Sequence, residues 1–377
     1  MKTHSPYERY SRQILLKEFG EAAQHKLSQA KVLVIGAGGL GCPALQYLAA
    51  AGVGTLGIVD DDKVALSNLH RQPLYTMNDI GFSKAEVAAQ RLQQLNPDIQ
   101  ILVHNKRLTS ANAIEILSGF DIVVDGSDNF ATRYLVNDAC VLLNKVLVYG
   151  SVSRFEGQIA VFNIQEPGKL SSANYRDIFP EPPRENEVLN CAEAGVLGVL
   201  PGIIGSMQAS ETIKLITGIG KPMANTLLIY NALNNQFYDI SIEPKPGTLS
   251  LIPSTLEEFQ NFNYEWLCAA IPSDFEIDIA EFDRLLENEE AVFIDVREVH
   301  ETPVVTEFVH QQIPFGLIRE QAFTDNPGII VLFCQSGKRS LDAAKYLSSI
   351  PGISKNIFSL KGGISNWKAS RQNPSIV

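Results

Sequence analysis

The chain has 377 residues, 45% hydrophobic and 19% charged, an ordinary globular composition with length for roughly two to three domains of about 150 residues. Its 42 acidic residues against 31 basic ones leave a net charge of −11, which argues against nucleic acid or an acidic membrane surface as the default partner. The five cysteines, Cys42, Cys140, Cys191, Cys268 and Cys334, include no two within three positions, so there is no CxxC zinc or redox motif and no purely disulfide-based framework.

The N-terminus is charged and lacks an apolar signal core, and the chain reads as cytoplasmic with reduced thiols. Residues 7–28 read as a polar helix. From Val32 to Val59 no residue is charged, yet seven glycines and Pro43 interrupt the stretch. It reads as strand 30–36, tight turn, buried helix 40–51 and strand 55–60, not as a membrane span. A helix over 83–95 follows, then short strands at 121–125 and 146–149. Alternating strands and helices indicate a doubly wound, mostly parallel α/β sheet. Antiparallel strands are expected at 155–164 and within 226–242, a Pro-rich loop at 165–190 and a buried helix at 194–210. Residues 246–275 read as a linker. Beyond them a second, smaller αβ pattern places strands at 291–295 and 329–333 and a helix at 340–349. The expected domains are 1–245 and 276–377.

Gly36-Ala37-Gly38-Gly39-Leu40-Gly41 is GxGxxG between a strand and a helix, a backbone shape that admits a phosphate at the helix N-terminus. Asp60 closes the next strand, where a ribose hydroxyl partner is expected. Alone these features suit a dinucleotide, and a nicotinamide-dependent oxidoreductase stays open on them. Arg71 and Lys84 are suited to a triphosphate and Asp128 to magnesium, which matches ATP chemistry better than hydride transfer.

Residues 7–243 closely resemble the MoeB/ThiF/HesA family, bacterial relatives of ubiquitin-activating enzymes. The resemblance rests on Arg9-Tyr10-Ser11-Arg12-Gln13, the glycine loop, Asp60-x-Asp62, Ser67-Asn68-Leu69-His70-Arg71-Gln72, Gly81-x-x-Lys84, Asp125-x-x-Asp128-Asn129 and Cys191-Ala192-Glu193-Ala194-Gly195. It implies adenylation, by ATP and magnesium, of the C-terminal Gly-Gly carboxylate of a small ubiquitin-like sulfur carrier. Under it the nucleotide is bound by Gly36, Gly38, Gly39, Gly41, Asp60, Asp62, Asn68, Arg71, Gln72 and Lys84. Asp128 holds the metal, and Arg12 reaches into the neighbouring subunit of a homodimer. Cys191 is implied as a covalent link to the carrier. Many relatives hold structural zinc with two CxxC pairs. Here the corresponding positions are Asn174-Tyr175-Arg176-Asp177 and residues near Pro244–Gly247, so no zinc ligands are expected and packing is expected to hold this lobe.

Cys334-Gln335-Ser336-Gly337-Lys338-Arg339-Ser340 follows an apolar strand and opens a helix, a cradle for an anionic sulfur beside Arg339. This loop, Asp295-Val296-Arg297-Glu298 and Leu360-Lys361-Gly362-Gly363-Ile364-x-x-Trp367 resemble rhodanese sulfurtransferases over about residues 276–370. The usual His-Ile-Pro-Gly-Ala stretch is not recognisable within 299–316. The resemblance implies that Cys334 carries a persulfide, drawn from a cysteine desulfurase or thiosulfate. The fusion implies that this sulfur converts the activated carrier to a thiocarboxylate, directly or through Cys191. A non-catalytic scaffold that binds the carrier or the donor is the remaining reading.

Overall fold

The computed structural model describes residues 8–165, 171–182, 195–264, 275–288, 290–318, 328–348, 350 and 356–372. Cys191 and Cys268 lie outside them. The chain divides into two compact units, 1–269 and 270–377.

In the first unit, α1 (Ser11–Ile14) and α2 (Gly20–Gln29) replace the single helix expected over 7–28. The break falls over residues 15–19, and Gly20, whose left-handed φ is +59°, turns the chain into α2. Then come β1 (Lys31–Ile35), α3 (Gly41–Ala51), β2 (Thr55–Val59), α4 (Lys84–Leu95), β3 (Gln100–His104), α5 (Ala113–Ser118), β4 (Ile122–Asp125), α6 (Phe130–Leu142), β5 (Val146–Ser153), β6 (Glu156–Phe162), α7 (Tyr175–Ile178), α8 (Val199–Thr217), β7 (Thr226–Asn231), β8 (Gln236–Ser241) and α9 (Leu256–Asn261). Among the described residues the sheet order is β3-β2-β1-β4-β5-β6-β7-β8. The first five strands are parallel and the last three are added antiparallel. Residues 32–35 of β1 and 122–124 of β4 are buried apolar runs because helices cover both faces of the sheet centre. The strand order reverses between β1 and β4, and the open end of that switch point is where a doubly wound sheet binds ligands.

The stretch read as a linker is partly core. Phe259 of α9 and Tyr264 are buried with Tyr134 and Phe162 in one cluster of the first unit. The lobe expected to rest on packing is also tied by polar groups. The Arg176 guanidinium donates to Asp138 at 2.9 and 2.7 Å, both side chains being buried, and the Tyr264 hydroxyl donates to the same carboxylate at 2.9 Å. Asp177 accepts from the backbone N–H groups of Asn174 (2.8 Å) and Lys245 (3.0 Å) and from the Thr248 hydroxyl. The two segments where relatives would carry cysteine pairs are therefore joined by one carboxylate, Asp177. No cluster of three or more His, Cys, Asp or Glu suited to a metal occurs among the described residues.

The second unit contains β9 (Glu276–Ile277), α10 (Ile279–Leu286), β10 (Ala291–Asp295), β11 (Gln311–Gln312), β12 (Ile329–Phe333), α11 (Lys338–Ser348), β13 (Ile357–Leu360) and α12 (Gly363–Gln372). Its sheet is parallel throughout, in the order β11-β10-β12-β13-β9. β11 lies inside the stretch where no family pattern is legible. One face packs Ile330, Leu332 and Leu347, the other Phe282, Phe333 and Trp367. Among the described residues no helix is long and apolar enough to cross a membrane.

Candidate functional site

At the switch point β1 ends in a turn that only glycine makes easily. Gly36 has φ +84°, and a Cβ there would lie 2.9 Å from the Gly126 carbonyl oxygen. A Cβ on Gly41 would lie 1.9 Å from the Gly36 carbonyl oxygen, so the first turn of α3 closes directly on the loop. Gly41 is thus a packing residue outside the cleft lining, whereas Gly36, Gly38 and Gly39 line it.

The loop is held from three sides. Ala37 N–H donates to Asp60 Oδ2 at 2.7 Å, and its carbonyl accepts from the Tyr75 hydroxyl at 2.7 Å and from the Cys42 thiol at 3.3 Å. Burial raises the Asp60 carboxyl above its ordinary range and pushes the Cys42 thiol up to about 12, which makes Cys42 a packing group. Asp60 also accepts from Asp62 N–H at 2.9 Å.

The cleft over this loop has a volume of about 380 Å³. Asp60, Asp62, Asn68, Arg71, Gln72, Lys84 and Asp128 all line it. Ser83 caps α4 and sets Lys84 at its first position, where Lys84 Nζ donates to Asp62 Oδ2 at 2.7 Å. Arg71 Nη1 donates to Ser67 O at 2.9 Å, and Asn68 Oδ1 accepts from Ala65 N–H at 2.9 Å, which fixes this stretch as a rigid turn. Gln72 is buried, and its Oε1 has no partner among the described residues, leaving an acceptor in the cleft wall. Asp128 is exposed beyond β4, next to Asn129, which caps α6. Beneath them α8 sends Gln208 Nε2 to the carbonyls of Asp125 (2.7 Å) and Val148 (3.2 Å), tying the ends of the central strands.

Lys106, Arg107 and Arg133 also line the cleft and were not singled out from the sequence. Their signal is positional: two follow the C-terminal end of β3 and the third lies on the helix after β4. With Arg71 and Lys84 they bring five cationic side chains to the cleft beside the carboxylates of Asp60, Asp61, Asp62 and Asp128, in a chain of net charge −11.

Arg12 is exposed on α1 and does not line the cleft of its own chain. Its neighbours anchor that helix. A Cβ on Gly52 would lie 2.6 Å from the Tyr10 ring, and Gln13 donates to Ala51 O at 2.9 Å. Asn96 donates to the Tyr10 hydroxyl at 2.8 Å. Three of the five residues in the Arg9–Gln13 stretch therefore have structural partners, Arg9 through Leu95 O at 2.7 Å.

In the second unit Cys334 follows β12 and is 1% exposed. Gly337, at φ +92°, turns the loop into α11, and the turn at Gly362–Gly363 packs against it, since a Cβ on Gly363 would lie 2.5 Å from Cys334 O. Ile364 N–H donates to Cys334 O at 2.8 Å. The Arg339 guanidinium makes two parallel 2.6 Å bonds to Glu301 and holds that carboxyl down at about 2. Arg297 is buried against Asp295 (2.6 Å) and donates to Gln335 Oε1 at 3.2 Å.

Comparison with known proteins agrees with both halves. Residues 10–250 match the ThiF family and residues 278–370 the rhodanese-like domain. A Thermus thermophilus sulfur carrier protein adenylyltransferase is 52% identical over 65% of this chain and 90% of its own length. A probable adenylyltransferase/sulfurtransferase MoeZ of Mycobacterium tuberculosis is 41% identical over 98% of this chain and 94% of its own. The Drosophila grimshawi adenylyltransferase and sulfurtransferase MOCS3 is 40% identical over 95% and 83%. The crystal structure of Escherichia coli MccB with ATP shares the fold, with a TM-score of 0.56 at 22% identity over 65% of this chain and 73% of that one. The chain belongs to the ThiF family and carries a rhodanese-like domain.

Proposed function

For a ThiF-family chain with this cleft, we propose that the protein is an ATP-dependent sulfur carrier adenylyltransferase whose rhodanese-like domain supplies sulfur. The observation that carries the first half is the cationic cleft at the sheet's switch point. The carrier is a small ubiquitin-like protein ending in Gly-Gly. Its terminal carboxylate oxygen attacks the α-phosphorus of ATP, the α–β bridging P–O bond breaks, and pyrophosphate leaves. A carboxylate that was a poor acyl donor becomes an acyl-adenylate with AMP as leaving group.

This chain's residues align the two anions and offset their charge. Arg71 and Lys84 meet the phosphates, Asn68 and Gln72 orient them, and Asp60 receives a ribose hydroxyl. Asp62 is a positioning residue that keeps Lys84 pointed into the cleft. Asp128 is an exposed carboxylate beside that phosphate path, the donor type magnesium takes when nucleotide phosphates complete its shell. Bound there, magnesium would neutralise phosphate charge. Arg12, exposed and outside its own cleft, serves the site of a second subunit in a homodimer.

Cys334 takes a sulfur atom from a cysteine desulfurase or thiosulfate as a persulfide. The outer sulfur attacks the acyl carbon, AMP leaves, and the carrier is joined to Cys334 through an acyl disulfide. A second thiol, Cys191, attacks the Cys334 sulfur and releases the thiocarboxylate. An external thiol then reduces the resulting Cys334–Cys191 disulfide. The test is carrier-dependent exchange of pyrophosphate into ATP. Lys84→Ala should lower it by about 10²–10³-fold, as expected for removing a fixed cation from a developing charge. No exchange by the wild-type protein with any of the MoaD-like and ThiS-like carriers would remove the adenylation reading and favour the scaffold.

A further inference from the structure

Two buried serines have no role in the scheme above. Ser340, on the first turn of α11, and Ser359, on β13, are both fully buried. Ser340 Oγ lies 3.5 Å from Cys334 Sγ and 3.0 Å from Gly337 O. Ser359 Oγ lies 2.8 Å from Ser340 Oγ and 3.4 Å from Gly337 O. A hydroxyl buried in a strand facing an apolar core is costly unless it is bonded, and Ser359 finds its partners only here among the described residues.

The proton count gives the pair a function. When Ser359 donates to Ser340, the single Ser340 proton can turn either to the Gly337 carbonyl or to the sulfur. It turns to the carbonyl when the sulfur is neutral and to the sulfur when it is an anion. The cation of the loop, Arg339, reaches the Cys334 sulfur as well and is shared with Glu301 through two bonds. We propose that Ser359 and Ser340 form a hydroxyl relay that stabilises the anionic sulfur of Cys334, resting on the reading of Cys334 as the sulfur-bearing thiol. Both serines are positioning residues. The relay serves the thiolate before sulfur is accepted, and the same sulfur as leaving group when the external thiol attacks Cys191 and opens the Cys334–Cys191 disulfide.

The test is a pH titration of ultraviolet thiolate absorbance on the full chain, with the same protein carrying Cys334→Ala as the blank. Charged side chains on the elements meeting at the loop (Lys338, Arg339, Arg297, Glu301, Lys361) are untouched, so a shift reads the hydroxyls. Ser340→Ala should move the Cys334 midpoint upward by about one pH unit, the size of one hydrogen bond lost from an anion. Ser359→Ala should give a smaller shift in the same direction, and Ser340→Thr, which keeps the hydroxyl, should stay near wild type. An unmoved midpoint in Ser340→Ala, with Cys334 still gaining one sulfur by mass, overturns the relay and spares the function. A moved midpoint in a protein whose Cys334 gains no sulfur keeps the relay and overturns the function.

Discussion

The nucleotide cleft and the thiol loop use one topological device, the C-terminal end of central parallel strands followed by a helix, and build opposite sites from it. The cleft is open, and its charge is carried by the long side chains of Arg71, Lys84 and Lys106 and by the exposed carboxylate of Asp128. The thiol loop is closed, its sulfur is buried, and its partners are the Ser340 hydroxyl and the Arg339 guanidinium. A polyanion that must enter and leave suits cations set along an open cleft above a rigid glycine floor. An anion of one or two sulfur atoms suits a pre-formed cradle, where burial makes each hydrogen bond count for more.

Separating the two sites by mutation tests that contrast. The largest effect is expected from Cys334→Ala, which should abolish thiocarboxylate formation and leave pyrophosphate exchange intact. Equal loss of both, measured side by side, would mean the sites are not separable. Next is Gly41→Ala, where the added carbon meets the Gly36 carbonyl oxygen at 1.9 Å. It should remove the folded first unit's adenylation while sulfur loading of Cys334 survives, and a variant retaining full exchange would contradict the packing role.

Asp138→Asn leaves Arg176 buried without its counter-charge, which should cost the first unit about 3–5 kcal/mol. Thermal unfolding would record this, and a chelator should leave the wild-type transition where it is. A melt that drops on chelation would mean a metal, not the carboxylates, holds that lobe.

The smallest effect concerns Glu301. Its carboxyl is lowered from 4.5 to about 2, so its contribution to stability is present above 4.5 and fades as pH falls from 4.5 to 2. Glu301→Gln should therefore differ from wild type in the second unit's melt at neutral pH and converge with it near pH 2. A difference that persists there would assign the effect to packing.

What could be read from the sequence divides along the same line. The glycine loop, Asp60, Arg71 and Lys84 are legible because each sits at a fixed spacing from a strong apolar strand. Lys106 and Arg107 follow β3, a half-exposed strand whose QILVH gives no continuous buried run, so nothing pointed to them. The Asp138–Arg176 and Asp138–Tyr264 contacts join residues 38 and 126 positions apart. No local pattern encodes such a network, and for that reason residues 246–275 read as a linker. Ser340 belongs to the legible loop, but its partner Ser359 lies on another strand. The two-residue strands β9 and β11 are too short for any periodicity.

The most direct test of the account is intact mass spectrometry of a candidate carrier incubated with this protein, ATP and magnesium, with and without a sulfur donor. The account predicts that the carrier gains the mass of AMP, and that with donor present it appears instead as the thiocarboxylate, a change absent in Cys334→Ala. A carrier that acquires sulfur equally well with Cys334→Ala, or one that never gains AMP while pyrophosphate is released, would contradict it.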